Sequence, residues 1–560
     1  MSAPVFRPKL LDALRNYTSR DFSADLIAGV TVGIIALSLS MALGIASERT
    51  PGIGIITGIV AGFLISALSG SKVQIGGPTA AFIPVVIGVA HSYGVGGLVV
   101  CTMLAGFFLI AMGIARLGGM IKYIPIPVIA GFTAGIAIYI LSTQVKDFLG
   151  LRTADPVPPE FHHKLVFLWQ HLGLTHWPSL LLASLTFAFI KLWPRRWAAR
   201  IPASIIAVIA ATAAVVWFHL PVETIGSRFG VEAIPRGLPA PAWPAFDWNE
   251  LGGLIRPAFT IALLAAIESL LCAVVADGMI EDKHDSNTEL IAQGVANIGS
   301  ALFGGLPATG ALARTAANVR SGGRTPVAGI IHSLTILGVV LAAARFARYI
   351  PLAVLSAVLV DVALRMGEWH HLVRLRRWPK SDSVVYLLTF GLTVFTDITV
   401  AVEVGMVLAS VLFIRRISET TKLATVDDRA LDYDREHWLI GRKLPDGVAA
   451  FQLMGALMFG ATDRLETALR GSSQKPSVVI LGMKRVVALD ATGLNALEDF
   501  RSELRHFHAD LVIAGAHTQP LMVLANGGFV ELLGEENFCA DMDAAVQRAK
   551  ELLSAPRLSP

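Results

Sequence analysis

Gly76-Gly77-Pro78-Thr79-Ala80 separates one long apolar segment from the next, and Gly304-Gly305-Leu306-Pro307-Ala308-Thr309 does the same far downstream. A second pair of matching stretches lies at nearly the same offset: Tyr123-Ile124-Pro125-Ile126-Pro127-Val128 returns as Tyr349-Ile350-Pro351-Leu352-Ala353-Val354, 226 residues later. Two matches at one spacing indicate an internal repeat whose copies break their apolar runs at corresponding places. The alternative is chance likeness of Gly- and Pro-rich apolar sequence. Glycine lets a backbone bend tightly and proline suits the first turn of a helix, so each break reads as one helix ending and a short one beginning.

Outward from these breaks the chain is apolar. Leu26 to Ala46 is 21 residues without a charge, enough to cross a hydrocarbon layer about 30 Å thick at about 1.5 Å per residue. Val73 to Ala115 is 43 residues without Asp, Glu, Lys or Arg, interrupted by Pro78, Pro84 and the Gly94 to Gly97 turn, and reads as two segments. Others lie near 53–69, 123–145, 178–192, 201–219, 257–276, 287–303, 308–319, 325–344, 350–364, 383–396 and 398–414, about fourteen in all. The repeat divides them into two sets of seven. Seven is odd, so the halves cross the membrane in opposite senses, the inverted-repeat plan of many secondary transporters.

Composition agrees. Only 16% of residues are charged and 54% are hydrophobic, against about 25% charged in an average soluble domain. Residues 1–420 hold 54 charged side chains and residues 421–560 hold 34, so a membrane part precedes a soluble part. The net charge of +4 implies no broad basic surface, and nucleic acid is not an expected partner. Cys101, Cys272 and Cys539 lie far apart, and no hydrolase elbow, phosphate loop or HExxH is present; no enzyme, metal or cofactor is expected.

Lys191, Arg195, Arg196 and Arg200 fall in one short loop, and Arg365, Arg374, Arg376, Arg377 and Lys380 in another. By the positive-inside rule these loops, and with them both termini, face the cytoplasm. The segments at 146–177 and 220–256 then face outside. The first 25 residues lack a cleavable apolar core, so no removed signal peptide is expected. After Arg415-Arg416 the pattern changes to strands at Trp438–Leu444, Val448–Leu453, Ser477–Met483 and Leu511–Ala516, with helices near 461–470, 493–508, 519–533 and 541–553. The expected divisions are an N-terminal segment (1–25), a membrane domain (26–416), a linker (417–433) and a small α/β domain (434–555).

Three places carry candidate chemistry. Glu268 is eleventh of the nineteen residues Ala258 to Ala276, at mid-membrane among apolar, Ser and Thr side chains. A carboxylate there is costly unless it is paired or takes up a proton, so it is a candidate proton carrier, with a structural glutamate as the alternative. The second place is the pair of short helices expected after Pro78 and around Pro307. Each leaves backbone N–H groups free at the positive end of a helix dipole, and Thr79 and Thr309 add hydroxyl donors, an arrangement suited to an anion. Ordinary kinks in membrane helices are the alternative. The third is Arg314, read as lying one and a half turns along the helix from Thr309. It either supplies the countercharge of an anion pocket or snorkels to the interface with Arg320 and Arg324. The acidic run Glu281, Asp282, Asp285 with His284 reads as a solvated loop.

At these residues the chain resembles the SulP/SLC26 family of anion transporters. Asp25-Leu26-Ile27-Ala28-Gly29-Val30-Thr31-Val32-Gly33 resembles its first-span motif, Gly77-Pro78-Thr79-Ala80 the start of its third span, and Pro307-Ala308-Thr309-Gly310 through Arg314 its tenth. Thr325-Pro326-Val327-Ala328-Gly329 is similar to the bacterial branch, and Leu489-Asp490-Ala491-Thr492-Gly493-Leu494 looks like part of a STAS domain. The resemblance implies a core and a gate, each drawn from both seven-helix repeats, and an anion held between the starts of spans 3 and 10. The implied binding residues are Gly77, Pro78, Thr79, Ala80, Ala308, Thr309, Gly310, Ala311 and Arg314, with Glu268 as proton-coupling residue. Ala313 departs from relatives that place a serine there. Thr492 stands where some STAS domains carry a phosphorylated serine, so it is a candidate regulatory phosphorylation site.

The expected function is a secondary active transporter in a bacterial inner membrane. The resemblance further implies a homodimer moving a sulfate-like anion, bicarbonate or a dicarboxylate by proton symport, proton rather than sodium, with an elevator-like motion. An uncoupled anion channel or exchanger is the competing reading, and a mid-span Glu268 argues against it. A signalling protein with a mere membrane anchor is a third, against which the repeat argues, since one span would serve.

Overall fold

The computed structural model describes residues 6–121, 125–153, 155, 157–158, 160–194, 203–230, 233–396, 398–420, 422–425, 444–458 and 476–554. Arg195, Arg196, Arg200, residues 123–124 of the first repeat copy, most of the strand expected at Trp438–Leu444 and the helix expected near 461–470 lie outside them. The chain divides into two compact units, Met1–Val407 and Leu408–Pro560.

The first unit is helical. Its elements are α1 Ser19–Ala46, α2 Pro51–Leu68, a short strand β1 Gly76–Pro78, α3 Ile83–Ile114, α4 Ile126–Leu149, α5 Phe161–Gln170, α6 Trp177–Leu192 and α7 Ala203–Phe218. Then come α8 Leu251–Ile280, α9 Ser286–Leu302, strand β2 Ala308–Gly310, α10 Leu312–Arg320, α11 Pro326–Ala347, α12 Leu352–Met366, α13 Lys380–Phe395 and the start of α14 Ile398–Thr420, whose residues from Leu408 on belong to the second unit. A helix occupies each apolar segment read from the sequence. Among the described residues six helical stretches are long and apolar enough to cross a membrane, including Ser19–Ala46, Ile126–Leu149 and Pro326–Ala347. The two segments expected in Val73–Ala115 form one helix, α3, broken at Gly94, whose φ of 69° no helical residue adopts.

Packing sorts these helices into two groups, each drawing on both halves of the chain. In one, α9 lies along α3, α11 along α1 and α2, and α8 on α3; in the other, α12 and α13 lie on α4, and α6 and α7 join α12. Small residues let the first group close. Gly106 of α3 and Gly294 of α9 face each other so tightly that a Cβ on Gly106 would meet the Gly294 carbonyl oxygen at 2.6 Å, and one on Gly294 the Gly106 oxygen at 2.5 Å. Such close backbone approach is how helices gain contact in a medium as apolar as their own side chains.

Asp25 joins the two ends of this group. Buried in α1, it accepts hydrogen bonds from the backbone N–H of Arg324 (2.7 Å) and Thr325 (3.2 Å), from the Thr325 hydroxyl (2.5 Å) and from Tyr17 (3.0 Å). The motifs Asp25–Gly33 and Thr325–Gly329 are thus one contact in space.

In the second unit a five-stranded sheet has the order β3 Lys422–Thr425, β4 Val448–Leu457, β5 Val478–Leu489, β6 Asp510–Ala514 and β7 Phe538–Cys539. The β3–β4 pair is antiparallel and the others are parallel. One face packs on α15 Ala491–His506 and α16 Thr518–Asn526, the other on α17 Met542–Ser554. Strand β5 runs six residues past the expected Met483 because Lys484 and Arg485, which ended the apolar run, project outward. The helix expected over 519–533 is two helices, split at Gly528 with φ of 75°. Thr492 is exposed in the first turn of α15, behind the N-cap Asp490, which accepts from Gly493 N–H at 2.9 Å.

Gly106→Val is expected to lower stability by about 1–3 kcal/mol through overpacking against Gly294. Gly391→Val, where a Cβ would meet nothing within 4 Å, is the matched control, and thermal unfolding of the detergent-solubilised protein separates the two.

Candidate membrane anion site

Strands β1 and β2 pair antiparallel inside the helical unit, Gly76 opposite Gly310, Gly77 opposite Thr309 and Pro78 opposite Ala308. Extended backbone at membrane depth is tolerated only where its polar groups are satisfied within the protein. Side chains from the surrounding helices do this. Asn297 of α9 accepts from Ala308 N–H and donates to its carbonyl, both at 2.9 Å. Thr315 accepts from Ile75 N–H at 3.0 Å, Asn318 donates to Val73 O at 2.9 Å, and Thr57 accepts from Leu306 N–H at 2.6 Å.

This pairing changes the second helix start. The short helix expected around Pro307 begins at Leu312, because Ala308–Gly310 is strand and Ala311 is the N-cap. Arg314 therefore sits in the first turn of α10, not one and a half turns into a helix begun at Thr309. The first start matches the reading more closely: Thr79 is the N-cap of a turn at Ala80–Phe82 that runs into α3. Neither start has a side-chain cap, so the N–H groups of their first turns stay free of such partners.

Arg314 is 1% exposed. Its Nη2 donates to Ser40 Oγ at 3.2 Å and lies 3.5 Å from Pro78 O, while Nε and Nη1 are buried without a partner. No carboxylate among the described residues forms an ion pair with it. Gly77 makes room, since a Cβ there would collide with the guanidinium. The alternative of an arginine snorkelling to the interface does not fit this burial; Arg324 does lie at the surface, paired with Asp21 at 3.1 Å.

The middle of α8 is tied to both strands. Thr309 donates its hydroxyl to Ala265 O at 2.9 Å, Gln74 donates to Ser269 Oγ at 2.8 Å, and the half-buried Glu268 lies beside the Thr79 side chain. The Thr309 hydroxyl thus holds α8, its proton committed to a carbonyl instead of standing free for an anion.

Sequence reading missed a second carboxylate. Glu289, fully buried in α9, accepts from Ser69 Oγ (2.5 Å), Gly70 N–H (3.1 Å), Ser269 Oγ (2.7 Å) and Gln293 Nε2 (2.7 Å). The signal was available: Glu289, Gln293 and Asn297 recur every fourth residue, a polar stripe on an otherwise apolar helix. The acidic loop after α8 is more than solvated, with Asp285 capping α9 through Thr288 N–H at 2.6 Å and Asp282 paired with Lys72 at 3.0 Å.

Comparison with known proteins agrees with this architecture. Residues 22–389 match the Sulfate permease family and residues 442–545 the STAS domain. The chain is 38% identical over 530 residues to the putative sulfate transporter YvdB of Bacillus subtilis, covering 94% of this chain and 97% of that one. It is 30% identical over 548 residues to the bicarbonate transporter BicA of Synechocystis, covering 95% and 94%. Its fold is that of the murine Slc26a9 anion transporter in the inward-facing state, with a TM-score of 0.85 over 97% of this chain and 94% of that one at 20% identity.

Removing the Glu289 carboxylate would strand four buried donors, so Glu289→Ala is expected to cost on the order of 3 kcal/mol or more. Thermal unfolding in detergent checks this, with Glu289→Gln, which keeps one acceptor, falling between it and wild type. The geometry and the comparisons agree that this chain belongs to the Sulfate permease (SulP/SLC26) family, a helical membrane anion transporter with a C-terminal STAS domain and not an enzyme.

Proposed function

We propose that the protein carries a small oxyanion, sulfate-like, bicarbonate or dicarboxylate, by proton symport, with the anion bound between the starts of α3 and α10 beside Arg314. The observation that carries this reading is the Arg314 guanidinium, wholly buried with two nitrogens unpartnered and, among the described residues, no carboxylate paired with it. Burying a cation costs several kcal/mol unless something negative meets it, and here the remaining candidate is the cargo. Gly77, Pro78, Thr79 and Ala80 on one side and Ala308, Thr309, Gly310 and Ala311 on the other form its walls. Two helix ends of about half a positive charge each add to the arginine.

Glu268 is the proton carrier. Support comes from its contrast with Glu289, whose four donors leave it nothing to exchange, whereas Glu268 is half-buried beside Thr79. The two packing groups would move past each other in an elevator-like stroke, in a homodimer seated in the inner membrane with both termini cytoplasmic. The STAS domain regulates this cycle, with Thr492 as its modification site. Sulfate and bicarbonate, named for the two curated relatives, are the first substrates to test.

Uptake of labelled sulfate, bicarbonate and succinate into proteoliposomes, with and without an inward proton gradient, tests the reading; no uptake of any would defeat it. Arg314→Ala is expected to weaken anion binding at least tenfold while the protein stays folded, and Arg314→Lys to recover part, because a compact ammonium cannot replace a planar two-pronged donor. Unchanged affinity would remove Arg314 from the site. Glu268→Gln is expected to keep anion binding but lose acceleration by the proton gradient. Retained acceleration would move coupling elsewhere.

A further inference from the structure

Beside Arg314 lies a titratable side chain that nothing above uses. His332, on α11, is 0% exposed, and its ring Nε2 is buried without a hydrogen-bond partner. The other ring nitrogen turns back to its own helix, with Ser333 Oγ 3.4 Å from Nδ1.

Two glycines of α2 locate the ring. A Cβ on Gly62 would lie 3.2 Å from the Gly76 carbonyl oxygen of β1 and 3.5 Å from His332 Cε1, the carbon bonded to Nε2. The imidazole edge and the start of β1 therefore meet over bare backbone. One turn earlier, a Cβ on Gly58 would lie 3.1 Å from Ser40 Oγ and 3.5 Å from Ile336, the residue one turn beyond His332. Ser40 accepts from Arg314 Nη2. Arg314 itself is within electrostatic reach of the imidazole. His332, Ser40, β1 and Arg314 thus share one layer, and among its unpartnered polar atoms are Arg314 Nε and Nη1 and His332 Nε2.

We propose that His332 is a specificity-determining residue of the anion site, its Nε2–H giving a bound oxyanion a hydrogen bond in addition to those of the Arg314 fork. The role needs the ring proton on Nε2, which makes Nδ1 an acceptor facing the Ser333 hydroxyl 3.4 Å away. An oxyanion presents several acceptor oxygens in fixed directions, so a donor set from a guanidinium, two helix ends and an imidazole selects it over a halide. The inference rests on the reading of Arg314 as anion ligand.

The test is uptake of labelled sulfate and bicarbonate by the full-length protein in proteoliposomes, with chloride as competitor. The variants are His332→Leu, His332→Gln, His332→Asn and Arg314→Ala. A glutamine amide nitrogen can reach the place of Nε2 and an asparagine amide only that of Nδ1. We expect KM for the oxyanion to rise about tenfold in His332→Leu and His332→Asn with Vmax little changed, recovery to within about threefold in His332→Gln, and stronger inhibition by chloride in the two weakened variants. If His332→Leu does not fold, the Gln and Asn pair carries the comparison. Equal KM in Gln, Asn and wild type while Arg314→Ala has lost affinity would overturn the role of His332 and leave that of Arg314. Unchanged affinity in Arg314→Ala would overturn both. A fall in Vmax and thermal stability without change in KM or in chloride inhibition would make His332 a packing residue and defeat the proposal.

Discussion

A guanidinium buried with no carboxylate partner among the described residues is the constraint around which the membrane unit is built. A guanidinium gives up its proton less readily than any other basic side chain, so the surroundings must accommodate a charge. They do so with a bare glycine, one hydroxyl and a backbone carbonyl, leaving two nitrogens unsatisfied. A permanent ion pair would satisfy the arginine and close it to an incoming anion.

Holding that arrangement at membrane depth requires extended backbone, which lipid does not tolerate. The β1–β2 pair satisfies part of it, and Thr57, Asn297, Thr315 and Asn318 satisfy the neighbouring groups. This explains why the first packing group carries polar residues in its interior while the helices around them are apolar. The same logic separates the two acidic residues: Glu289 is saturated and joins α2, α8 and α9, and Glu268, one residue from the Ser269 that bonds Glu289, lies beside Thr79.

Much of this was legible in the chain. Long uncharged runs dictate membrane helices because no other element leaves the backbone satisfied in lipid, and the matching Gly/Pro breaks point to paired half-helices. Short apolar runs at 448–453 and 511–516 pointed to two strands of the second unit within a few residues. The misreadings were local. Proline at 307 suggested an immediate helix, but the next three residues found a strand partner more than two hundred positions away, which no local pattern announces. Lys484 and Arg485 looked like an end because an exposed stretch of a strand has no apolar signature.

Amino-acid order by itself determined the class of the molecule, a membrane bundle followed by an α/β domain, because hydropathy and spacing act over neighbouring residues. Tertiary structure decided what the polar residues do. Thr309 could face an anion or a carbonyl, and packing against α8 turns it to Ala265. Arg314 could reach the interface or the interior, and the gap left by Gly77 draws it in. Glu289 and His332 acquire their surroundings only when α9 and α11 close on α2, since the groups that meet them come from distant parts of the chain.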